Sequence, residues 1–348
     1  MRLVSILGDS ISTFEGYNPP GYLVFYDQEM QVKNGLTCVY DTWWAKVNQK
    51  LHAYLCVNNA YSGSKVSGNS FPATSGSERI DLLCKGDMNP DYILLYIGFN
   101  DFGNGVQIEG NNEMAGDVSS FTEAYRLMLM RLKNKYSESK IICATLMRTL
   151  VKNQENWVFP EYYKGVAFEE YNDVIRNVSV QCGCDLADLG RMNIRYETLD
   201  GSHPTALGHT TIANAWINAL NEMGLIKPSL EMYIKAFQID SNSDEAVYMV
   251  FKTLTEERVL IPYNGSNRAL VGLPYQGQTI IPLFTSFNEI SQNEPVSLKL
   301  AYIQDVLPAL LEAKKNIIIN PFSSPEKLFF LPYKAIEKML IPLLKSKE

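Results

Sequence analysis

Short apolar runs alternate with longer segments of helical periodicity from the start of the chain to about residue 225. The runs are rich in β-branched and aromatic residues and nearly free of charge, which indicates buried strands. They are Leu3–Leu7, Tyr54–Asn58, Asp91–Ile97, Lys140–Thr145 and Asp185–Leu189. The predicted helices between and after them are Trp43–Leu51, Phe121–Tyr136, Phe168–Gln181 and Thr205–Met223. This alternation predicts an α/β fold in which a parallel sheet is covered on both faces by helices.

The pattern changes after the polar segment Ile226–Ser229. Beyond it, strands and helices no longer alternate, which predicts a small α+β domain. The strands predicted there are Arg258–Pro262, Gln278–Phe284 and Asn316–Asn320, and the helices are Asp244–Leu254, Leu298–Lys314 and Tyr333–Leu344. A length of 348 residues also suggests two domains. We therefore predict a first domain over residues 1–228 and a second over residues 237–348.

Composition and charge exclude several functional classes. The net charge of -7 and a pI near 5.2 argue against a nucleic-acid surface, which needs a basic stripe. The chain has neither a signal-peptide pattern at its start nor an apolar run long enough to span a bilayer. Cys56 and Cys143 fall inside apolar runs, as expected of core thiols in a reducing compartment, so a cytoplasmic location is expected. Cys182-Gly183-Cys184 is a candidate redox or metal motif, although the lack of a second cysteine pair favours a structural role.

Polar residues of complementary chemistry follow four of the predicted strands. Ser10 follows the first strand, Gly63 the second, Asn100 the third, and Asp200 and His203 the fifth. The carboxyl ends of parallel strands meet at one edge of a sheet, where ligands bind in open α/β folds. We therefore expect these residues to converge on a single site.

The residue types at this edge suit acyl transfer. A serine such as Ser10 becomes a nucleophile only beside a base, and a histidine base needs a partner that fixes its tautomer. Asp200, three residues before His203, can reach Nδ1 and leave Nε2 facing Ser10. The other two histidines, His52 and His209, are expected to be structural. The backbone N–H groups of Ser10 and Gly63 and the amide of Asn100 are candidate donors to an oxyanion.

Aromatic residues are concentrated in the long loops after the first and fourth strands. They are Tyr17, Tyr22, Phe25, Tyr26, Trp157, Tyr162 and Tyr163. Such side chains can line an acyl or sugar pocket, although each is singly as compatible with core or surface packing. The predicted substrate-binding residues are Tyr17, Tyr26, Trp157 and Tyr162.

With these motifs in order, residues 1 to about 225 resemble the SGNH (GDSL-type) hydrolase superfamily of esterases, lipases and acylhydrolases. The four name-giving residues all match: Ser10 in Gly-Asp-Ser, Gly63, Asn100 in Gly-Phe-Asn-Asp, and His203 in Asp-Gly-Ser-His-Pro. The resemblance implies a flavodoxin-like three-layer α/β/α sandwich, a Ser10–His203–Asp200 triad, an oxyanion hole from Ser10, Gly63 and Asn100, and no metal or cofactor. Gly-x-Ser-x-Gly is absent, which argues against the α/β-hydrolase nucleophile elbow.

The carboxyl-terminal part resembles the SseB family N-terminal domain. The matching segments are Leu260-Ile261-Pro262, Ile281–Ser286 and Ile317–Pro321. This domain is expected to be an interaction module that recruits a protein partner, or a structural appendage. The main functional hypothesis is a serine ester hydrolase acting on small acylated or acetylated substrates. The alternatives are a lysophospholipase, an acyl-thioesterase, and a binding or scaffold protein with a retained hydrolase fold.

Overall fold

The computed structural model describes residues 1–109, 118–241, 243–264, 269–290 and 297–345. The chain forms two compact units, one made of Arg2–Ile226 and the other of Lys227–Glu348 with Met1. Each unit has its own hydrophobic core.

The first unit contains nine strands and seven α-helices among its described residues. The strands are β1 (Arg2–Gly8), β2 (Ala53–Ala60), β3 (Tyr92–Tyr96), β4 (Lys140–Ala144), β5 (Thr149–Val151), β6 (Tyr162–Tyr163), β7 (Val166–Ala167), β8 (Asp185–Ala187) and β9 (Tyr196–Thr198). The helices are α1 (Gln28–Asn34), α2 (Trp43–Lys50), α3 (Ser77–Ile80), α4 (Phe99–Asn104), α5 (Phe121–Lys135), α6 (Phe168–Gln181) and α7 (Ala206–Glu222).

The central sheet has the order β2-β1-β3-β4-β8, and every neighbouring pair is parallel. β1 lies between β2 and β3, with Gly8 opposite both Ala60 and Tyr96. The carboxyl ends of these three strands therefore reach the same level of the sheet. Two pairs of helices pack together, α2 with α7 and α5 with α6, and α2 and α6 contact strands of the sheet. This architecture confirms the α/β sandwich with a parallel sheet that the sequence predicts.

The start of α7 packs tightly against β9. A Cβ at Gly208 would lie 2.2 Å from the carbonyl oxygen of Glu197, so only glycine allows this approach. Thr205 caps the helix by accepting a hydrogen bond from the Gly208 N–H, and its own N–H donates to the Glu197 carbonyl at 3.0 Å. The loop that joins β9 to α7 is thus held at both ends, and this loop carries Asp200 and His203.

The structure corrects several predicted elements. The stretch after Ser10, predicted as a continuous loop, contains α1, which Asp27 caps by accepting from the Met30 N–H. Asp200 and His203 follow β9, a three-residue strand paired with β5, rather than the fifth strand of the main sheet. Strands this short carry too few residues to show a period of two.

The second unit combines two sheets with helices. Its helices are α8 (Leu230–Ile239), α9 (Asp244–Glu256), α10 (Ile303–Ala313), α11 (Tyr333–Ala335) and α12 (Ile341–Lys345), with a π-helical turn at Ile336–Leu340. Its strands are β10 (Arg258–Asn264), β11 (Ala269–Leu270), β12 (Leu273–Tyr275), β13 (Gln278–Leu283), β14 (Leu298–Tyr302), β15 (Ile317–Ile319) and β16 (Phe329–Leu331). The sheet orders are β11-β10-β14 and β12-β13-β15-β16. The predicted helix Leu298–Lys314 is wrong in its first part, because Leu298–Tyr302 pairs with β10 as an antiparallel strand.

Within the described ranges, no helix combines the length and hydropathy that crossing a membrane requires. The six cysteines are all free thiols.

Candidate active site

The candidate nucleophile, Ser10, begins a 3₁₀ turn directly after β1. Asp9 caps this turn, because its carboxylate accepts a hydrogen bond from the Ile11 N–H at 3.0 Å. A Cβ at Gly8 would lie 2.7 Å from the Ser12 hydroxyl, so the tight return of the chain requires glycine there. The turn leaves Ser10 almost buried, with 4% of its surface exposed.

Ser10, His203 and Asp200 form a continuous chain of hydrogen bonds. The Ser10 Oγ lies 2.9 Å from His203 Nε2, and His203 Nδ1 lies 2.7 Å from Asp200 Oδ2. The second carboxylate oxygen of Asp200 accepts from the backbone N–H groups of Ser202 and His203 at 2.9 and 2.8 Å. Gly201, which lies between Asp200 and Ser202, has a φ of +92°, a conformation that glycine adopts without strain. This arrangement can move a proton from the serine to the imidazole.

The Asp200 carboxyl is held in its ionised form. Partial burial raises its pKa, but the hydrogen bonds and charge of His203, with the N–H of Ser202, outweigh this and hold the pKa well below its usual range. A fixed carboxylate at Nδ1 favours the tautomer in which Nε2 is the free base. The Ser202 hydroxyl also lies 3.2 Å from Nδ1 and gives the imidazole a second polar neighbour.

The three candidate oxyanion donors follow neighbouring strands: Ser10 begins the turn after β1, Gly63 lies in the loop after β2, and Asn100 lies in the first turn of α4 after β3. Gly63 has a φ of +78°, in the left-handed region that favours glycine. Within the residues described, the backbone N–H groups of Ser10 and Gly63 donate to no protein acceptor. One Asn100 amide N–H donates to the carbonyl of Ser64 at 2.9 Å, which leaves the other N–H of this group for a ligand.

A fully buried arginine, Arg79, holds this edge of the sheet together. Its Nε donates to Asn59 Oδ1 at 3.0 Å, and its Nη1 donates to the Ser64 hydroxyl at 2.8 Å and the Pro72 carbonyl at 3.1 Å. Its Nη2 donates to the carbonyls of Gly8 at 2.6 Å and of Asn59. Burial lowers the pKa of Arg79 to about 10, so the guanidinium stays charged at neutral pH. Arg79 therefore joins β1, the strand that precedes Ser10, to the loop that carries Gly63 and whose Ser64 carbonyl orients Asn100.

Replacing Arg79 with Met is expected to lower the free energy of unfolding by about 3–5 kcal/mol, because buried acceptors on three segments lose their donor. The measurement is urea unfolding followed by circular dichroism. Arg126→Met is the matched control, since Arg126 is 36% exposed in a pair with Glu123 and should change stability by about 0.5 kcal/mol or less. Equal losses in the two variants would contradict this role for Arg79.

The buried carboxyl of Asp9 makes stability depend on pH. Desolvation raises the pKa of Asp9 to about 7, although the Ile11 N–H and the charges of His203 and Arg79 lower it. The folded protein thus binds this proton more tightly than the unfolded chain, so the Asp9 contribution becomes less favourable as pH rises from about 4 to about 7 and is constant above.

Asp9→Asn removes this ionisation and keeps an oxygen that can accept from Ile11. Its stability relative to the wild type is expected to rise with pH over that window, by as much as about 4 kcal/mol. The measurement is the difference in unfolding free energy at pH 4, 5.5, 7 and 8. The control variant Asp87→Asn, at an exposed position, should give a flat difference. A flat difference for Asp9→Asn would show that Asp9 ionises normally.

The structure places the four predicted substrate-binding residues in different surroundings. Tyr26 is fully buried, and its hydroxyl donates to the Pro204 carbonyl at 2.7 Å. This residue therefore supports the loop between β9 and α7 that carries His203, the histidine loop, instead of lining a surface. The Trp157 indole lies 3.2 Å from the position of a Cβ on Gly201, beside the same loop. Tyr17 packs on Phe14 and Trp44, and Tyr162 is 72% exposed on β6. Tyr26 and Trp157 therefore contact the histidine loop, whereas Tyr17 and Tyr162 have their contacts elsewhere.

The two histidines predicted to be structural are not part of the hydrogen-bonded chain of Ser10, His203 and Asp200. His52 is exposed in the turn between α2 and β2. His209 is buried in α7, where its Nδ1 accepts from the Trp43 N–H at 3.2 Å, and burial lowers its pKa to about 3. His209 is therefore neutral and acts as an acceptor at the start of α2.

One residue of the site, Arg79, has no signal in the sequence, because it follows no motif. Asp101, in the Gly-Phe-Asn-Asp motif, is expected from the sequence to orient its loop; its buried carboxylate accepts from the N–H groups of Val66 and Ser67, in the loop after β2, at 2.8 and 3.0 Å. Desolvation raises the pKa of Asp101 to about 6 despite these bonds. Asp101 adjoins Asn100 in the Gly-Phe-Asn-Asp motif, so its position was the one available hint.

Comparison with known families agrees with the family resemblances predicted from the sequence. Residues 2–159 match the family model described as GDSL-like Lipase/Acylhydrolase, which confirms the resemblance predicted from the sequence motifs and supports a hydrolase of the esterase or lipase type. The matched range includes Ser10, Gly63 and Asn100 and ends before Asp200 and His203, whose assignment rests on the geometry above. Residues 230–332 match the SseB protein N-terminal domain, as also predicted.

Solved structures similar to this chain include GDSL-like lipases. A candidate GDSL-like lipase from Bacteroides ovatus is 24% identical, with a TM-score of 0.49 over 64% of this chain and 99% of that one. A candidate GDSL-like lipase from Bacteroides uniformis is 26% identical, with a TM-score of 0.47 over 64% of this chain and 96% of that one. A search of curated proteins found no match.

Proposed function

We propose that the first unit hydrolyses esters of small acylated or acetylated compounds, with Ser10 as nucleophile. The observation that carries this proposal is the unbroken chain from Ser10 Oγ through the His203 imidazole to the Asp200 carboxylate, with separations of 2.9 and 2.7 Å. These are hydrogen-bond distances at which a base can take up the serine proton.

Acylation begins when Ser10 Oγ attacks the carbonyl carbon of the ester. Its proton passes to His203 Nε2, and Asp200 stabilises the imidazolium that forms. The negative charge on the former carbonyl oxygen is met by the N–H groups of Ser10 and Gly63 and the amide of Asn100. His203 then gives the proton to the departing alkoxide, which leaves as an alcohol.

Deacylation repeats these steps with water as nucleophile. His203 takes a proton from water, the hydroxide attacks the acyl carbon, and the same donors hold the second oxyanion. Return of the proton to Ser10 Oγ releases the carboxylic acid and restores the enzyme. Every proton is exchanged among the serine, the imidazole, water and the products, so the cycle needs no further reactant.

The test is covalent labelling with a fluorophosphonate, followed by peptide mapping. Labelling of the peptide that contains Ser10 is expected, because the reagent reacts with serines activated by a base. An unlabelled Ser10 in folded protein would favour the binding or scaffold alternative. A panel of acetylated sugars, short-chain esters, lysophospholipids and acyl thioesters then separates the proposed substrates from the lysophospholipase and thioesterase alternatives.

A further inference from the structure

Phe25 lies flat against the imidazole of His203. The two ring centroids are 3.4 Å apart and the planes differ by 7°. At this separation the rings are in van der Waals contact, so neither water nor substrate can reach that face of the imidazole. Phe25 belongs to the long loop after Ser10, far in sequence from the histidine loop.

Hydrogen bonds tie Phe25 to the nucleophile as well. The Phe25 N–H donates to the Thr13 hydroxyl at 3.0 Å, and this hydroxyl donates to the Ser10 carbonyl at 2.9 Å. Thr13 is fully buried, and its bond to the Ser10 carbonyl is shielded from solvent. The phenyl ring on His203 is therefore held by the same turn that presents Ser10.

The next residue, Tyr26, ties Phe25 to the backbone beside His203. Tyr26 packs edge-on against Phe25, with centroids 4.9 Å apart at 84°, and its hydroxyl donates to the carbonyl of Pro204, the neighbour of His203. Phe25 and Tyr26 together join the loop after Ser10 to the histidine loop through one ring stack and one buried hydrogen bond. This pairing constrains both the plane of the imidazole and the position of its backbone.

We propose that Phe25 is a positioning residue of the triad, which orients the His203 ring toward Ser10 and stabilises the imidazolium formed when Ser10 loses its proton. This inference rests on the proposed function. The step is the transfer of the Ser10 Oγ proton to Nε2, which leaves a positive charge on a ring stacked on a phenyl π-face. A cation is attracted to that face, and the attraction is greater where water is excluded. The stack thus acts more strongly in the transition state than in the resting enzyme.

Other charged and titratable groups also face the imidazole. Asp200 and Ser202 contact Nδ1, and Ser10 contacts Nε2. Asp9 and His209 lie close enough to interact with His203 electrostatically. The variants that test the stack must therefore leave these groups in place and change only the ring of Phe25.

The first test compares Phe25→Leu with Phe25→Tyr. Leu keeps an apolar side chain of similar size but has no π-face, so kcat is expected to fall about tenfold with little change in KM. Tyr retains the ring and should restore most of kcat. The control Phe322→Leu changes an exposed phenylalanine in the second unit and should leave both constants unchanged.

The second test is NMR of the histidine ring protons, which does not depend on turnover. The chain has three histidines, so His203→Ala assigns the His203 signals. The ring current of Phe25 should shift these signals upfield in the wild type and in Phe25→Tyr, and the shift should be lost in Phe25→Leu.

The combined outcomes separate this proposal from the proposed function. Loss of the ring-current shift together with a lower kcat in Phe25→Leu supports the role of Phe25. A wild-type kcat in Phe25→Leu, an equal loss in Phe25→Tyr, or no ring-current shift in the wild type would each overturn it. If the wild type hydrolyses no ester, the rate of fluorophosphonate labelling replaces kcat, and an unlabelled Ser10 would overturn both proposals even where the stack itself is observed.

Discussion

A Ser10→Ala variant is expected to hydrolyse p-nitrophenyl acetate with a kcat about 10⁶-fold below that of the wild type. Loss of the nucleophile in a serine triad removes the covalent route altogether, and the remaining groups can only bind and polarise the ester. The measurement is the initial rate at saturating substrate, with labelling by the fluorophosphonate as a second readout. Ser10 is small and nearly buried, so alanine fits its turn and the fold should persist.

Ser137→Ala is the matched control for this change. Ser137 is exposed in the turn between α5 and β4, and the variant should retain wild-type turnover and labelling. Circular dichroism of both variants separates loss of chemistry from loss of fold. Wild-type activity in folded Ser10→Ala protein would refute the assignment of Ser10, whatever the other variants show.

An Asp200→Asn variant is expected to keep its fold and lose about 10⁴-fold in kcat. The amide can still accept from the N–H groups of Ser202 and His203, so the loop can keep its shape. However, the amide N–H₂ can donate to Nδ1, which favours the tautomer whose Nε2 carries a proton and cannot act as a base. The measurement is kcat for the same ester across pH 6 to 9.

Two further variants sharpen this prediction. Asp173→Asn, at a side chain 61% exposed on α6, is the control and should not change kcat. Ser202→Ala in the Asp200→Asn background tests whether the Ser202 hydroxyl, 3.2 Å from Nδ1, takes over as acceptor. A loss below tenfold for Asp200→Asn that persists in the double variant would show that Asp200 does not orient the imidazole.

Two parts of the candidate site, Ser10 and Asn100, could be predicted because each follows a segment with a clear pattern. β1 and β3 are continuous apolar runs, so the ends that carry Ser10 and Asn100 are visible in the sequence. The α6 boundaries, Phe168–Gln181, agree with the prediction because its apolar residues recur at helical spacing over the whole segment.

The rest depends on contacts between segments distant in sequence. Arg79 has no local pattern that marks it as buried, and its five donors are satisfied only by groups from four other positions along the chain. Phe25 and Tyr26 are adjacent aromatic residues in a loop, and nothing local distinguishes a ring on the imidazole from a ring buried behind it. In the second unit, Leu298–Tyr302 continues directly into α10, so the sequence does not distinguish the strand from the first turns of the helix.

The proposed triad joins groups 193 residues apart, one directly after the first strand of its unit and the other in the loop before α7. A chain leaving the ribosome would therefore expose its serine long before the base that activates it exists. The proposed turnover can begin only after His203 has been synthesised and the unit has folded, since the two partners lie near opposite ends of its sequence. Recovery of the proposed esterase activity after dilution from denaturant would thus report that the whole unit has folded. Recovery of the helical circular dichroism signal would report only that individual helices have formed.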